Sequence, residues 1–371
     1  MVKLKRVIRI INKYIPEKLA SDWDNSGLQI GELEQKISKV LLTLDVNGDV
    51  LNESIRKKCQ LIISHHPFIF NDISSINDAN DDGKIMIKAV KNNIAIYSAH
   101  TNLDIVSTGL NDYLADKLLI EDREILKVTA EDEVLKLVVF IPESHLEEVR
   151  ETILNTNAGH IGNYSHSSFL SSGRGTFKPL AGSDPYLGKE NLQSNVKEYR
   201  LETILYRSDL KDVINNMLSV HPYEEVAYDI YPLKNSGKVY GLGRVGYLQE
   251  EKPYQDVIDM IKDKLELDSL RYMGDLGESI KKIAICSGSG ADYIQNAAFK
   301  GADLYLTGDI KLHDAQLAES LGLSLIDAGH YGTEVICVPY LYNLLKDEIE
   351  EKSLDFEVIQ YKKSTDPLKL Y

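Results

Sequence analysis

The amino-acid sequence predicts an α/β protein in which two α/β halves are separated by an inserted α+β domain. Short β-rich runs alternate with helical patterns from residue 1 to about 120, and this alternation returns after about residue 239. Between these segments the pattern changes to strands and helices in an α+β order. Regular alternation indicates βαβ units with parallel sheets. A chain of 371 residues also exceeds the length of about 250 to 300 residues at which a single hydrophobic core stops growing.

The first half begins with MVKLKRVIRIINKYI, in which Arg9, Asn12 and Lys13 interrupt the apolar run. This pattern predicts an amphipathic helix and argues against a signal peptide. Helical patterns over residues 51–58 and 85–90 connect three runs that we expect to be strands. These runs are VLLTLDV, LIISHHP and IAIYSAH.

The middle segment predicts a small α+β sandwich. LKLVVFIPESHLEEVRETIL has the pattern of a strand and a helix, and YRLETILYRSDLKDVINNML followed by VAYDIYPL has that of a strand, a helix and a strand. Residues 155–190 are rich in Gly, Ser, Pro and Asn. We expect them to form a long, loop-rich excursion or a hairpin.

The second half repeats the rhythm of the first. The runs KKIAICSG, DLYLTGD and LSLIDAGH predict strands, and residues 293–299 and 315–321 predict helices between them. Two α/β halves therefore flank the middle segment.

Composition narrows the class of protein. Apolar residues make up 43% and charged residues 27% of a chain with a formal net charge of −15, which indicates a globular protein that repels nucleic acids and anionic membranes on average. The three cysteines are far apart and predict buried apolar groups, not disulfides or thiolate metal ligands. No run approaches the roughly 20 apolar residues of a membrane helix, so we expect a cytoplasmic protein without a membrane partner.

The strongest chemical feature is a buried-strand run that ends in two histidines, His65 and His66, before Pro67. Functional groups collect at the carboxyl ends of parallel strands. Adjacent residues in an extended backbone point to opposite sides, so two neighbouring metal ions accommodate this pair better than one. Ordinary strand-end hydrogen bonds are the alternative for these histidines.

A second segment, SAHTNLD, also follows a strand and carries His100 and Asp104. Asp104 offers an oxygen ligand and His100 a partner that supports a ligand. A helix N-cap is the alternative role for Asp104.

A third segment, DAGHYGTE, places His330 and Glu334 four residues apart on one side of a helix start. A glutamate can bridge two cations about 3.5 to 4 Å apart. The convergence of three strand ends therefore predicts a two-metal site, with Glu334 as the bridge, formed by His65, His66, Asp104, His330 and Glu334. These nitrogen and oxygen ligands suit zinc, manganese or iron.

A fourth segment, TGDIKLHDA, can supply Asp309, Lys311 or His313 for substrate or proton handling, or only a helix cap with solvated neighbours. Residues 23–27 form a polar turn whose Asp24 and Asn25 can face the pocket, but a structural turn is the first interpretation.

Five motifs taken in order resemble the family of GTP cyclohydrolase 1 type 2 homologues, also called Nif-three-like proteins. They are DWDNSGLQIG, SHHPFIF, SAHTNLD, TGDIKLHDA and DAGHYGTE, within residues 1–120 and 239–371. The resemblance implies a discontinuous Nif-three-like domain made of residues 1–125 and 239–371. It implies that residues 126–238 form an inserted ferredoxin-like domain of the PII/CutA type, found in long bacterial members, since HPYEE at His221 resembles a CutA motif.

The same resemblance implies a dinuclear site with the five ligands already named, and we expect two divalent ions per chain, with zinc first and manganese or iron as alternatives. Catalytic roles are expected for His100, His313 and Glu334. The family also implies a toroidal homohexamer, a trimer of dimers. One departure from the family pattern is Leu312, where relatives often carry an aromatic residue or histidine.

Two functions are consistent with these features. The first is a metal-dependent hydrolase, of the kind that opens the purine ring of GTP, acting on a nucleotide or related substrate. The second is a regulatory or scaffold toroid with a ligand-sensing PII-like insert and a structural metal site, because fold and metal alone do not identify a substrate.

Overall fold

The protein is described by a computed structural model over residues 1–369. It has two compact units. Unit 1 consists of Met1–Thr129 and the chain from Tyr240 onward, and unit 2 consists of Ala130–Val239.

The first part of unit 1 alternates strands with helices, and the strands and helices predicted there are confirmed. The strands are β1 (Val2–Lys3), β2 (Gly27–Ile30), β3 (Lys36–Ile37), β4 (Lys39–Thr43), β5 (Leu61–Ser64), β6 (Ala95–Ser98) and β7 (Ile120–Asp132). The helices are α1 (Leu4–Tyr14), α2 (Gly48–Lys57), α3 (Asp81–Lys91), α4 (Thr101–Ile105) and α5 (Leu110–Lys117).

Unit 2 is an antiparallel sheet with two helices on it. Its strands are β8 (Val134–Pro142), β9 (Ser168–Phe177), β10 (Ser194–Tyr206) and β11 (Tyr228–Pro232), and its helices are α6 (Leu146–Leu154) and α7 (Leu210–Val220). The strand order is β11-β8-β10-β9, with every neighbouring pair antiparallel. Buried side chains of β8, β10, α6 and α7 form one apolar core between sheet and helices.

The second part of unit 1 repeats the alternation. The strands are β12 (Lys238–Pro253), β13 (Arg271–Met273), β14 (Ser279–Ser289), β15 (Leu304–Gly308), β16 (Ser324–Asp327) and β17 (Glu357–Gln360). The helices are α8 (Tyr254–Lys264), α9 (Ile294–Phe299), α10 (Leu312–Ser320), α11 (His330–Glu334) and α12 (Cys337–Glu351).

Two larger sheets organise unit 1. One has the order β17-β4-β5-β6-β2, in which β17, β4, β5 and β6 run parallel. The other has the order β13-β16-β15-β14-β12-β7, in which β14, β15 and β16 run parallel. The strand β5 is buried along its whole length, as expected for the centre of a parallel sheet covered on both faces.

The segment predicted as a loop-rich excursion contains β9, a strand of 10 residues. It pairs with β10 over its full length and leaves most of its side chains exposed. The sequence SFLSSGRGTF lacks the apolar alternation of a half-buried strand. Its conformation is therefore set by pairing with the next strand along the chain. Residues 155–167 and 178–190 form no helix or regular strand, so the segment is loop-rich outside β9.

None of the helices within residues 1–369 has the length and apolar character needed to cross a lipid bilayer. The three cysteines, Cys59, Cys286 and Cys337, are free and buried, which confirms their predicted role as buried apolar groups. The helix after β16 is interrupted, because α11 ends at Glu334 and α12 begins at Cys337 with Pro339 in its first turn. Proline fits a first turn because the helix leaves that amide unpaired.

Candidate metal centre

The carboxyl ends of the parallel strands in unit 1 carry imidazoles and carboxylates. His65 and His66 follow β5 directly, and His100 follows β6. In the second sheet, His330 follows β16 after two residues. Unit 1 brings these ends together, and the rings of His66 and His330 lie 5.3 Å apart between centroids.

His65 is fully buried, and its two ring nitrogens have different surroundings. Nδ1 lies 2.7 Å from the carbonyl oxygen of Ala99, so it donates a proton there and leaves the Nε2 lone pair free. Nε2 lies 3.6 Å from Glu334 Oε1 and 3.8 Å from Asp104 Oδ1. It is buried without a hydrogen-bond partner among residues 1–369. Two buried oxygens and an orphaned nitrogen around one gap are a donor set that fits a divalent cation.

His66 and His330 hold Glu334 from two sides. Their Nε2 atoms lie 2.8 and 2.9 Å from Glu334 Oε2. The Nδ1 atom of His66 lies 2.6 Å from Asp45, and that of His330 lies 2.7 Å from Asp309. Each imidazole is thus oriented by a carboxylate behind it, which is the usual arrangement of histidine ligands in metal sites.

Glu334 is 4% exposed and faces the turn at the end of β14. Gly288 has a φ of +64°, and a Cβ atom there would lie 2.0 Å from Glu334 Oε1 and 3.3 Å from His330 Nε2. The amide of Gly288 donates to the Thr333 hydroxyl at 2.9 Å. Glycine is therefore required at this position for both the backbone conformation and the space occupied by the carboxylate.

Asp104 lies inside α4 and is buried, so the alternative role as an N-cap is wrong, because His100 occupies that position. Its Oδ1 accepts the Ser287 hydroxyl at 3.4 Å. The short helix α4 is the element that turns Asp104 toward His65.

His100 is oriented by Asp24, a residue from the turn that we interpreted as structural. His100 Nδ1 lies 2.8 Å from Asp24 Oδ1. Asp24 Oδ2 accepts from the hydroxyls of Ser26 and Thr101, at 2.7 and 2.6 Å. Burial acts to raise the pKa of Asp24, but its bonds to His100 and Thr101 outweigh burial and hold that pKa well below its usual range. The turn has a structural role and also positions a site imidazole.

Buried charges control the protonation of the cluster. Burial lowers the pKa of His66, but hydrogen bonds to Asp45 and Glu334 outweigh it and raise the pKa to about 10. Burial also lowers the pKa of His330, but hydrogen bonds and charge from Glu334, followed by those from Asp309, outweigh burial and raise this pKa to about 9. The carboxylates therefore make this part of unit 1 attractive to positive charge.

Burial and neighbouring charges also act on His65, Asp104 and Glu334, which are all buried. Burial lowers the pKa of His65, but the charges of Asp104 and Glu334 outweigh it and raise the pKa. Burial raises the pKa of Asp104. Burial acts in the same direction on Glu334, but the surrounding histidines, led by His65, hold the pKa of Glu334 well below its usual range. Glu334 is thus a buried anion surrounded by imidazoles.

Two overlapping groups of side chains within residues 1–369 can hold a metal ion. In each group the potential ligand atoms lie within 4.8 Å of one another. The groups are His65, His66 and His100, and His66, His330 and Glu334. His100 thus lies among the potential ligands, although the sequence suggested a supporting role for it.

The three candidate residues of the motif TGDIKLHDA lie in different surroundings. Asp309 contacts His330, and Lys311 lines a cavity of about 600 Å³ that also includes Asp309 and Arg271. His313 is exposed, and its ring nitrogen Nδ1 lies 3.0 Å from Gln316 Oε1. Among residues 1–369 His313 has no hydrogen bond or ion pair with a predicted ligand, so its catalytic role stays a prediction.

Three carboxylates orient the imidazoles of the site, and the sequence did not predict this role for them. They are Asp24, Asp45 and Asp309. Asp45 lies two residues after β4, and Asp309 lies directly after β15, so both occupy strand ends, as the predicted ligands do. Asp24 belongs to a turn that precedes β2. A search for carboxylates after every predicted strand would have found the first two, because the carboxyl ends of neighbouring parallel strands share one edge of a sheet.

Comparison with known proteins assigns the chain to a family. The family model described as Duf34/NIF3 (NGG1p interacting factor 3) matches residues 2–367. The chain belongs to the DUF34/NIF3 family. The resemblance inferred from the five motifs is therefore confirmed.

Relatives of this NIF3-family chain carry the name GTP cyclohydrolase 1 type 2 homolog. The Bacillus subtilis protein is 43% identical over 332 residues, which cover 90% of this chain and 89% of that protein. The Halalkalibacterium halodurans protein is 40% identical over 361 residues, with 97% of each chain covered. A crystal structure of a Bacillus cereus protein related to NIF3 has a TM-score of 0.93 at 40% identity, and it covers 100% of this chain and 99% of that one. The mixed α/β fold with several sheets is thus that of the NIF3 family.

Proposed function

We propose that this NIF3-family chain binds two divalent metal ions and acts as a metal-dependent hydrolase on a nucleotide or related substrate. The observation that carries the proposal is the buried, unpartnered Nε2 atom of His65 opposite Glu334 and Asp104. Leaving a buried polar atom unpaired costs free energy, so such an atom points to a ligand. The proposed ligands are His65, His66, Asp104, His330 and Glu334, with Glu334 as the bridge.

The donor set favours particular metals. Three imidazole nitrogens and two carboxylates suit zinc, with manganese and iron as alternatives. Divalent cations at such a site supply Lewis-acid character and make water a stronger nucleophile near neutral pH.

His100 has the contacts expected of a proton acceptor beside this site. Asp24 accepts the proton on Nδ1, so the Nε2 lone pair of His100 is available. The ring lies 5.2 Å from that of His65 and 5.7 Å from that of His66, between centroids. We propose that His100 accepts a proton from the attacking water, as a histidine general base does.

Exposed aromatic rings favour a planar substrate. Trp23 is 63% exposed and Phe70 is 50% exposed. Their ring centroids lie 6.0 and 6.5 Å from that of His100. Aromatic side chains stack on nucleobases, so these two rings support a purine or related heterocycle next to the cluster. Lys311, in the adjoining cavity, has no ion pair among residues 1–369 and is suited to an anionic group of the substrate.

Elemental analysis of the purified chain tests the metal claim. We expect about two divalent ions per chain, and near-complete loss when Glu334 and His66 are both replaced by Ala. A matched control is Glu348→Gln, which changes another buried carboxylate outside the cluster. Wild-type protein that stays metal-free after incubation with zinc, manganese or iron would contradict the proposal.

Incubation of the metal-loaded chain with GTP tests the reaction. We expect release of formate or a pterin product by the wild type and none by Glu334→Ala. Because Trp23 is the only tryptophan in the chain, quenching of its fluorescence by GTP would report binding separately from turnover. Equal inactivity of both proteins over a panel of nucleotides and phosphoesters would favour the second candidate below.

We also propose the organisation that the family resemblance implies. Residues 126–238 would form a ferredoxin-like, PII/CutA-type insert in a domain made of residues 1–125 and 239–371. The βαββαβ element order and the sheet order β11-β8-β10-β9 in unit 2 support this. A toroidal homohexamer in the cytoplasm is the expected assembly, and light scattering should then give about six times the chain mass of 41.8 kDa.

The second candidate function is a regulatory or scaffold toroid with a structural metal site and a ligand-sensing insert. A cavity within unit 2 favours it. This candidate predicts full metal occupancy with no turnover.

A further inference from the structure

Unit 2 contains a cavity of about 400 Å³ with aromatic walls. The rings of Phe177, Tyr186 and Tyr223 line it, and the ring centroids of Phe177 and Tyr186 lie 6.1 and 6.2 Å from that of Tyr223. This volume lies within the range of about 300 to 1,000 Å³ that is typical of small-molecule sites.

A buried carboxylate faces the same cavity. Glu198 is 8% exposed, and its Oε1 accepts the Tyr223 hydroxyl at 2.8 Å. Its other oxygen, Oε2, accepts no hydrogen bond among residues 1–369. On the neighbouring strand β9, a Cβ atom at Gly175 would be 1.9 Å from Oε2. The absence of a side chain at Gly175 leaves room for the carboxylate.

The ionisable side chains that line the cavity carry a net negative charge. The lining includes Glu198, Glu224, Glu225 and Lys178, which are three acidic side chains and one basic side chain. None of the three glutamates forms an ion pair within residues 1–369. Glu224 accepts only the backbone amide of Asp184, at 2.9 and 3.1 Å from its two oxygens.

Aromatic ring faces next to carboxylates without an ion pair favour a cationic ligand. Ring faces carry negative potential and attract cations, whereas a buried carboxylate is stable only with a partner. A metal ion is a poorer occupant, because both groups that can hold one within residues 1–369 lie in unit 1. The apolar walls favour a cation with a hydrocarbon body.

We propose that the cavity of unit 2 binds a small organic cation, an ammonium or quaternary ammonium group on an apolar body, with Glu198 as its counter-ion and Phe177, Tyr186 and Tyr223 as its walls. This inference does not depend on the metal-dependent activity, since all the residues involved belong to unit 2.

Calorimetric titration of the full chain tests the proposal with three probes: choline, butylammonium and 3,3-dimethyl-1-butanol, the neutral isostere of choline. We expect choline or butylammonium to bind at least about tenfold more tightly than the neutral alcohol, because only the cations gain from the carboxylate and the ring faces. Glu198→Gln should weaken cation binding by about tenfold or more and leave binding of the alcohol unchanged.

Two further variants complete the test. Glu202→Gln removes the same charge from the same strand, β10, outside the cavity lining, and should leave cation affinity unchanged. Tyr186→Leu removes a ring that is 46% exposed, so it should weaken cation binding without unfolding the protein. If Glu198→Gln does not fold, the cation affinity of Tyr186→Leu tests the proposal instead. The proposal is overturned if neither cation binds below about 10 mM, if the alcohol binds as tightly as choline, or if the folded cavity variants bind like the wild type.

Discussion

Gly288 connects a backbone conformation to the chemistry of the cluster. Replacement by Ala places a methyl group 2.0 Å from Glu334 Oε1, at a φ of +64°. We expect Gly288→Ala to displace the carboxylate and to lower the bound metal to less than half of the wild-type content. Elemental analysis after zinc loading measures this.

A matched variant separates the displaced carboxylate from backbone strain. Gly301 has a φ of +69°, and a Cβ atom there meets nothing within 4 Å. Gly301→Ala should cost about 1 to 2 kcal/mol of stability, the usual penalty for a left-handed residue with a side chain, and should retain its metal. Equal metal loss in the two variants would mean that strain, not the carboxylate, controls binding.

Single residues also show what sequence can and cannot predict. The strand ends that carry His65 and His330 are visible as local patterns, because a buried apolar run followed by a histidine is itself the signal. The partners of the imidazoles are not local, since Asp24 lies 76 positions from His100 and Asp45 lies 21 positions from His66. No local pattern predicts which carboxylate accepts a hydrogen bond from which imidazole.

At the scale of elements, Arg244 on β12 ties the second half of unit 1 to the first. Its side chain is 4% exposed and pairs with Asp112 of α5 at 2.6 Å. It also donates to the carbonyl oxygens of Gly241, Gly243 and Val106. We expect Arg244→Met to lower the free energy of unfolding by about 3 to 5 kcal/mol, because three carbonyl oxygens and the partly buried carboxylate of Asp112 lose a buried donor. Urea denaturation measures the change.

The control for this prediction is an exposed ion pair on α2. Arg56 is 66% exposed and pairs with Glu53 three residues earlier. Arg56→Met should change stability by less than about 1 kcal/mol. A similar loss in both variants would show that Arg244 contributes no more than a surface charge.

Glu348 connects α12 to α1 and gives a pH-dependent contribution. It is 2% exposed and accepts from Lys13, Tyr14 and Lys352. Burial acts to raise the pKa of Glu348, but these hydrogen bonds, with Lys352 first, outweigh burial and lower the pKa to about 2. A carboxylate with a lowered pKa stabilises the fold above its unfolded pKa of about 4.3 and loses that contribution as the pH falls toward its folded pKa.

We therefore expect Glu348→Gln to be less stable than the wild type by about 1 to 3 kcal/mol at pH 7. The difference should begin to shrink below about pH 5 and keep falling toward pH 2. Urea denaturation at a series of pH values measures it. Glu350→Gln, an exposed i,i+4 partner of Lys346 on the same helix, should show little difference at any pH. A gap for Glu348→Gln that stays constant down to pH 3 would exclude the charge as its cause.

Elements differ in how well their sequence predicts them. The strand β5 is predicted because its burial dictates an apolar run. By contrast, β9 is mostly exposed and rich in Ser and Gly, so its pairing with β10 is its main stabilisation. Pairing between two strands is a tertiary effect that a local pattern does not contain.

For the whole molecule, the two units have separate cores and separate candidate sites. Unit 2 has its own apolar cluster, and other apolar clusters lie in unit 1. Both groups of potential metal ligands lie in unit 1. The chain leaves and re-enters unit 1 at neighbouring points, since a Cβ atom on Gly241 would lie 2.0 Å from the backbone oxygen of Lys127. A short Gly-Ser linker can therefore join Thr129 to Tyr240.

We expect a chain in which such a linker replaces residues 130–239 to unfold cooperatively and to bind as much zinc per chain as the full-length protein. The physical reason is that no proposed ligand, and no carboxylate behind a ligand, is removed with unit 2. Circular dichroism and elemental analysis measure the two properties. The same shortened chain should lose choline binding completely, because the cavity around Glu198 is gone. A folded, shortened chain that loses its zinc would show that unit 2 contributes to the metal centre, whereas retained choline binding would place the cation site in unit 1.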